Sequence, residues 1–331
     1  MSKRKILCRA DGNSSIGLGH MYRMLAIAEF FKNEYDIIFV TKKDSSTSII
    51  PKAYKISYIP EDVSTQDEPR WLSNNFTILE NIIIADGYQF VSSYQRGIKR
   101  EGFKLIYIDD LVKEHMYADV VINHSPKISV SDYQSEKYTK FALGLDYALL
   151  RPVFLAQTKL KREIKNIDSV FLCFGGADKD NFTLKMYNLL RKMNFIKEIH
   201  IIIGAAYKHS IKDFKDDRAI LYNNLNENDL IEVMYKCNLA IAPTSTILLE
   251  LCCINIPIIS GYLEENQKKA YKALYELGAI SGIGDFKKVK LTKTNLKNKI
   301  NLLEIETLLK TQSQLFNKNQ IENFKQLIYS L

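Results

Sequence analysis

Apolar runs of strand length recur along this chain, each closed by a small polar turn and followed by a helical pattern, and the alternation starts afresh near residue 169. In the first half, runs at 6–9, 36–40, 82–85, 105–108 and 120–122 alternate with helical patterns at 20–31, 71–80 and 89–100. Parallel strands need crossover connections, usually helices, so this alternation implies a parallel sheet covered on both faces. In the second half, runs at 169–174, 199–203, 220–222, 239–242 and 257–260 alternate with helical patterns at 181–193, 227–236, 245–252 and 267–277. Gly278 stands where the last of these helices needs a C-terminal cap. The stretch 157–166 is polar and charged and has the composition of a linker. The expectation is an α/β chain of two Rossmann-like domains, 1–154 and 155–331. They would face each other across a cleft at the C-terminal ends of their strands, where open α/β sheets bind ligands. The tail 291–331 is rich in Lys, Asn and Leu and reads as helices that close the second domain or pack back on the first.

With 331 residues the chain is long enough for two ordinary domains, and 46% hydrophobic with 25% charged residues is normal for a globular protein. The formal charge is +8, but the lysines are dispersed and no basic run interleaves with aromatics. That argues against a nucleic-acid partner and for a basic site for a phosphorylated small molecule, or simply a solvated basic surface. The five cysteines are odd in number and lack metal-ligand spacing, and Cys8 and Cys173 sit inside apolar runs, as buried reduced thiols do. The basic start at 1–5 precedes an apolar run too short for a signal peptide, and no apolar stretch reaches the length of a membrane span. A reducing, cytoplasmic location without membrane insertion is expected.

The turn after the first run holds Asp11, Gly12, Asn13, Ser14, Ser15, Gly17 and Gly19, and the following helix opens with His20. Backbone N–H groups gathered at a helix start suit an anion, and the positive end of the helix dipole favours a neutral imidazole there. A neutral histidine beside such a site could act as a general base. The alternative is a tight turn whose helix happens to begin with histidine. Dinucleotide spacing is absent, since Tyr22 stands where the third glycine would fall. In the second half, Thr244-Ser245-Thr246 opens a helix, with Glu250 one turn in. The hydroxyls could be plain N-caps, or the helix start could hold phosphate while the carboxylate accepts two hydrogen bonds from a ribose diol. Gly175-Gly176-Ala177-Asp178, Asp86-Gly87-Tyr88 and Asn266-Gln267 also fall at strand ends. Asp109-Asp110 and Asp178-Lys179-Asp180 are the acidic pairs that could in principle hold magnesium. In the second, Asp is a common helix cap, and no dedicated metal or other cofactor is expected.

Taken together, Arg9-x-Asp11, Ile16-Gly17-x-Gly19-His20-x-x-Arg23, Asp86-x-Tyr88, Asn123, Tyr147-Ala148-Leu149-Leu150-Arg151-Pro152-x-Phe154, Gly175-Gly176-x-Asp178, Ser245-Thr246-x-x-x-Glu250 and Asn266-Gln267 resemble the UDP-sugar hydrolases of pseudaminic acid biosynthesis. That family is itself similar to the GT-B glycosyltransferases of the muramyl pathway. The matches fall in order and span about residues 4–283. The resemblance implies a GT-B-like fold and removal of UDP from UDP-2,4-diacetamido-2,4,6-trideoxy-β-L-altropyranose, with water attacking the anomeric carbon and inverting it. It implies that His20 activates the water and that Asp11, Gly19, Arg23, Tyr88 and Asn266 serve the sugar. Gly175, Gly176, Ser245 and Thr246 would hold the diphosphate and Glu250 the ribose, with no metal. The family often has histidine before the tyrosine of the strand-end motif, where this chain has Gly87. Two other functions share the same features. One is a GT-B glycosyltransferase passing the sugar to a polysaccharide or lipid acceptor, and the other is a nucleotide-sugar binder without catalysis.

Overall fold

The computed structural model describes residues 4–13, 15–204, 206–316 and 319–331. Ser14 of the first turn and the first three residues of the basic start therefore lie outside the described residues. The chain divides into two compact units, 1–152 with 318–331, and 153–317.

The first unit runs β1 (Lys5–Ala10), α1 (Gly19–Phe31), β2 (Asp36–Lys42), β3 (Lys55–Ile59), α2 (Glu68–Asn75), β4 (Asn81–Asp86), α3 (Ser92–Arg100), β5 (Lys104–Ile108), β6 (His115–Met116), β7 (Val120–Asn123), β8 (Gln134–Ser135) and β9 (Lys140–Leu143). Seven strands form one parallel sheet in the order β3-β2-β1-β4-β5-β7-β9. Lys5–Arg9 pairs in register with Asp36–Val40 on one side, and Lys5–Ala10 with Asn81–Asp86 on the other. The chain works outward from β1 to β3 and then returns to β4, so the order reverses between β1 and β4. Turns leaving the sheet at such a reversal splay apart and leave room for a ligand. Burial explains the sequence pattern: β4 is covered along its whole length, as a central strand with helices on both faces must be.

The second unit begins with α4 (Pro152–Gln157), whose first residue is the boundary, and continues β10 (Ser169–Leu172), α5 (Phe182–Leu190), β11 (Glu198–Ile203), β12 (Ala219–Asn223), α6 (Glu227–Lys236), β13 (Leu239–Pro243), α7 (Thr246–Ile254), β14 (Ile258–Tyr262), α8 (Gln267–Glu276), β15 (Ser281–Asp285), α9 (Lys293–Asn301) and α10 (Ile305–Ser313). Its parallel sheet has the order β12-β11-β10-β13-β14-β15, reversing between β10 and β13. Gly278 adopts φ +76° directly after α8, the left-handed geometry that stops a helix.

In the two large sheets, three strands have no strong apolar signal in the sequence: β3, β9 and β15. All three lie at sheet edges, where one side of the strand has no partner and part of its surface meets solvent. The helix expected over 71–80 ends at Asn75, and Phe76 is extended. Two asparagines followed shortly by β-branched Thr77 favour leaving the helix there. The stretch 157–166 belongs to the second unit. Arg162 donates from Nη2 to the carbonyls of Tyr235 (3.1 Å) and Cys237 (2.7 Å), tying the segment to the C-terminal end of α6. All five cysteines are buried and unpaired.

The last helix, α11 (Gln320–Tyr329), departs from the expectation of a second domain running to residue 331, because 318–331 belongs to the first unit. Phe324 packs on Phe30 at 5.3 Å and on Tyr147 at 5.7 Å between ring centroids. Lys325 and Tyr329 both bind the Glu34 carboxylate, and Lys140 donates to the Ser330 carbonyl at 3.0 Å. Phe30 and Phe31 are therefore core residues of the first unit. Among the described residues, no helix is long and apolar enough to cross a membrane.

Candidate active site

α1 starts at the reversal point of the first sheet and carries His20 and Arg23 one turn apart on one face. Both are buried, although a charged or polar side chain needs partners to be so. The partner is Asp86, the fully buried last residue of β4. His20 Nδ1 lies 2.7 Å from Asp86 Oδ1. Arg23 donates to the same carboxylate from Nε (2.7 Å) and Nη2 (2.6 Å). Its Nη1 donates to both oxygens of Asp110, at 2.8 and 2.9 Å. Arg23 Nη2 also stands 2.8 Å from His20 Nδ1. Nδ1 thus faces an acceptor, Asp86 Oδ1, and a donor, Arg23 Nη2, which has its own acceptor in Asp86 Oδ1 at 2.6 Å. We assign the proton to Nδ1, because the carboxylate is the nearer partner and can only accept, whereas Arg23 Nη2 is already satisfied by the same carboxylate. The Nε2 lone pair is then left as the acceptor, as in the histidine–aspartate pairs of hydrolases. Tyr88 meets the His20 ring edge-on at 4.9 Å between centroids. Burial alone would raise the Asp86 carboxyl, but the Arg23 guanidinium and His20 outweigh it and hold it below its ordinary value.

The turn preceding α1 is wired internally. Asn13 Oδ1 accepts the N–H groups of Ser15 (2.8 Å) and Ile16 (3.0 Å), and Gly17 takes φ +89°, which requires glycine. Asp11 Oδ1 accepts from the Thr41 hydroxyl (3.0 Å) and the Lys42 N–H (2.9 Å) and pairs with Arg9 Nη1 at 2.8 Å. Its Oδ2 accepts from Gln89 Nε2 at 3.1 Å. Arg9 is itself fully buried and bound by both oxygens of Glu68, at 2.6 and 2.9 Å. Both Asp11 oxygens are thus engaged by protein donors, and every Arg23 nitrogen is engaged by a carboxylate. These two residues shape the site. A Cβ at Gly87 would come within 2.5 Å of the Gln89 side chain, so the glycine at this position gives Gln89 room to reach Asp11.

The structure brings Asp11, Gly19, His20, Arg23 and Tyr88 to one end of the first sheet. It adds residues whose role the sequence pattern does not disclose. Asp86 is visible in the sequence as a strand-end carboxylate, but its bond to His20 is not. Asp110 is visible only as half of an acidic pair. Asp109, the other half, accepts from the Leu111 and Val112 N–H groups and the Tyr133 hydroxyl. With Asp110 on Arg23, both carboxylates of the pair are occupied by protein donors. His124 follows β7 directly, and its Nδ1 is buried without a hydrogen-bond partner among the described residues. Burial, helped by the nearby Arg23 charge, pushes this imidazole down to about 4, so it is neutral. Its lone position in the sequence carries no signal beyond ending an apolar run.

In the second unit, Gly175 and Gly176 follow β10 and Ser245 and Thr246 open α7, at the two strands flanking the sheet reversal. Gly175 takes φ +87°. A Cβ on Gly204, at the end of β11, would sit 2.3 Å from the Gly176 Cα, so two backbones meet here without side chains. Asp178 accepts the N–H groups of Phe182 and Thr183, both at 2.8 Å, and so satisfies the first donors of α5, whose N-cap residue is Asn181. Thr244 binds across to Ser260 and the Gly261 carbonyl. Ser245 is the N-cap residue of α7 yet makes no side-chain capping bond, so capping does not account for its hydroxyl. Glu250 is buried one turn into α7, and Asn266 precedes α8. Among the described residues, no group of three or more His, Cys, Asp or Glu side chains could hold a metal ion.

Two parallel sheets, each reversing order beside its first strand, together with the likeness to solved structures, place the chain in the GT-B fold class. MurG of Acinetobacter baumannii superposes with a TM-score of 0.65 at 12% identity, covering 99% of this chain and 100% of that one. HepE of Anabaena, crystallised with UDP, superposes with a TM-score of 0.60 at 12% identity, covering 99% and 100%. No family model matches the chain. In sequence, the chain is 26% identical over 82% of its length to the UDP-2,4-diacetamido-2,4,6-trideoxy-beta-L-altropyranose hydrolase of Campylobacter jejuni, covering 99% of that protein. It is 26% identical over 81% of its length to an uncharacterized protein of Methanocaldococcus jannaschii, of which it spans 57%. It is 25% identical over 83% of its length to the spore coat polysaccharide biosynthesis protein SpsG of Bacillus subtilis, covering 82% of that protein. The similarity expected from the motifs thus extends over most of the chain.

Proposed function

We propose that this chain processes a UDP-linked sugar in glycan biosynthesis, and that it does so by hydrolysis, releasing UDP and the free sugar. The observation that carries this assignment is the buried His20–Asp86 pair, with Nδ1 2.7 Å from the carboxylate; with the proton assigned to Nδ1, Nε2 is left as a base. The similarity to the Campylobacter hydrolase supports UDP-2,4-diacetamido-2,4,6-trideoxy-β-L-altropyranose as the substrate. In the step itself, a water oxygen bonds to the anomeric carbon and gives its proton to His20 Nε2. The bond from that carbon to the phosphate oxygen breaks, its electron pair leaves on UDP, and the configuration inverts. UDP is a good leaving group and needs no acid, so one base suffices, unlike the two-carboxylate glycosidase plan. The developing phosphate charge would be stabilised by Gly175, Gly176 and the start of α7 at Ser245 and Thr246, with Glu250 on the ribose. Gly19, Tyr88 and Asn266 would contact the sugar, while Asp11 and Arg23 hold the residues around it.

The test is UDP release from that substrate by the purified chain without any acceptor, and absence of release overturns the hydrolase assignment. His20→Phe is expected to bind UDP nearly as before and to turn over at least ~100-fold more slowly. Glu250→Ala is expected to weaken UDP binding by roughly 10-fold, the scale of a lost charged hydrogen bond, measured by calorimetry. A glycosyltransferase is the second assignment, favoured by the fold shared with MurG. It predicts that UDP release depends on an added acceptor.

A further inference from the structure

We propose that Asp110 is a positioning residue that balances the charge His20 gains when it takes a proton. This rests on His20 acting as the base. Arg23 Nη2 lies 2.8 Å from His20 Nδ1, so a bare guanidinium there would oppose formation of an imidazolium. Arg23 is not bare. It is shared between two carboxylates, with Nε and Nη2 on Asp86 and Nη1 on both oxygens of Asp110. With His20 neutral, Asp86, Arg23 and Asp110 sum to one negative charge. Proton uptake by His20 brings the group to neutrality. Without Asp110 the same step would take it from neutral to positive, in a buried site where that costs most.

The other titratable groups that face this cluster, Tyr88 edge-on to the His20 ring among them, do not replace Asp110. Asp109 is turned to its own donors at Leu111, Val112 and Tyr133. Tyr107, in β5, is a neutral phenol, its hydroxyl held up by burial and by the neighbouring carboxylates. His124 is neutral. Asp86 is already bound to both His20 and Arg23. Asp110 therefore acts on His20 through Arg23, from a position it reaches at the end of β5.

The test is the pH titration of the His20 ring, followed by histidine side-chain NMR on the full chain, in wild type, Asp110→Asn and Asp110→Glu. Asp110→Asn keeps the size and one acceptor but removes the charge. The His20 midpoint is expected to fall by roughly 1 pH unit in Asp110→Asn and to return in Asp110→Glu. The acid limb of the UDP-release profile should move the same way. An unchanged midpoint in a folded Asp110→Asn overturns the assignment, since a merely structural role would alter stability without moving the titration. If Asp110→Asn does not fold, Asp110→Ser gives the same readout. The titration needs no turnover. A wild type without UDP release would therefore overturn the hydrolase assignment separately, with the charge balance still decided by the His20 midpoint.

Discussion

His20 Nδ1 lies 2.7 Å from a carboxylate that sits 66 positions away in sequence, and the proposed base depends on that contact. His124 gives the same neighbourhood a pH signature. Its imidazole is held at about 4 against 6.5 when exposed, by burial first and the Arg23 charge second. On acidification the unfolded chain takes up this proton before the folded one does. Stability is therefore expected to decline as pH falls from about 6.5 to about 4. His124→Asn should flatten Tm against pH across that window. Asp86 and Asp11 act in a different range. Both are held below the ordinary value of 3.8 despite burial, by Arg23 and His20 for Asp86 and chiefly by Arg9 for Asp11. Their contributions are full above that value and are lost as pH falls below it. The decline below pH ~4 should thus persist in the His124 variant.

Among the elements, α7 separates two uses of a serine. A capping serine satisfies an N–H of its own helix, and its loss costs about 1 kcal/mol. Ser245 makes no such bond. Ser245→Ala is therefore expected to change unfolding free energy by less than about 0.5 kcal/mol, as an ordinary surface substitution does. If the hydroxyl serves phosphate, UDP affinity should drop several-fold in the same variant, as read by calorimetry. A stability loss of ~1 kcal/mol with unchanged affinity would return Ser245 to plain capping. The glycines of this region follow a different logic: Gly176 and Gly204 are required by backbone contact, whatever else they serve.

For the molecule as a whole, the return of the chain to its first unit is the least local feature. Glu34 on that unit receives Lys325 and Tyr329, some 290 positions later. Phe324 is buried against Phe30, which belongs to the same helix as His20. Phe324→Ala is expected to destabilise the first unit by about 3 kcal/mol, through lost burial and the cavity left behind. Thermal unfolding followed in that variant checks this. A change within about 0.5 kcal/mol would mean that α11 contributes little to the unit it joins.

The order of elements is legible in the sequence because it is written locally. Apolar runs buried on both faces mark β1, β4, β10 and β13, and glycine or hydroxyl turns mark the helix starts that follow. His20 and Ser245 stand out for the same reason, since a helix N-terminus is a property of a few adjacent residues. Edge strands β3, β9 and β15 are not legible, because a strand with an unpaired side need not be apolar throughout. Nor is the destination of the last helix, whose amphipathic pattern fits either unit. By itself, then, the sequence determined two α/β halves and the residue types at their strand ends. Only the tertiary structure decided that Asp86, Asp110 and His124 join His20 and Arg23, because partners 63 and 87 positions from Arg23 are chosen by strand order in the sheet and by the need of buried charges for each other.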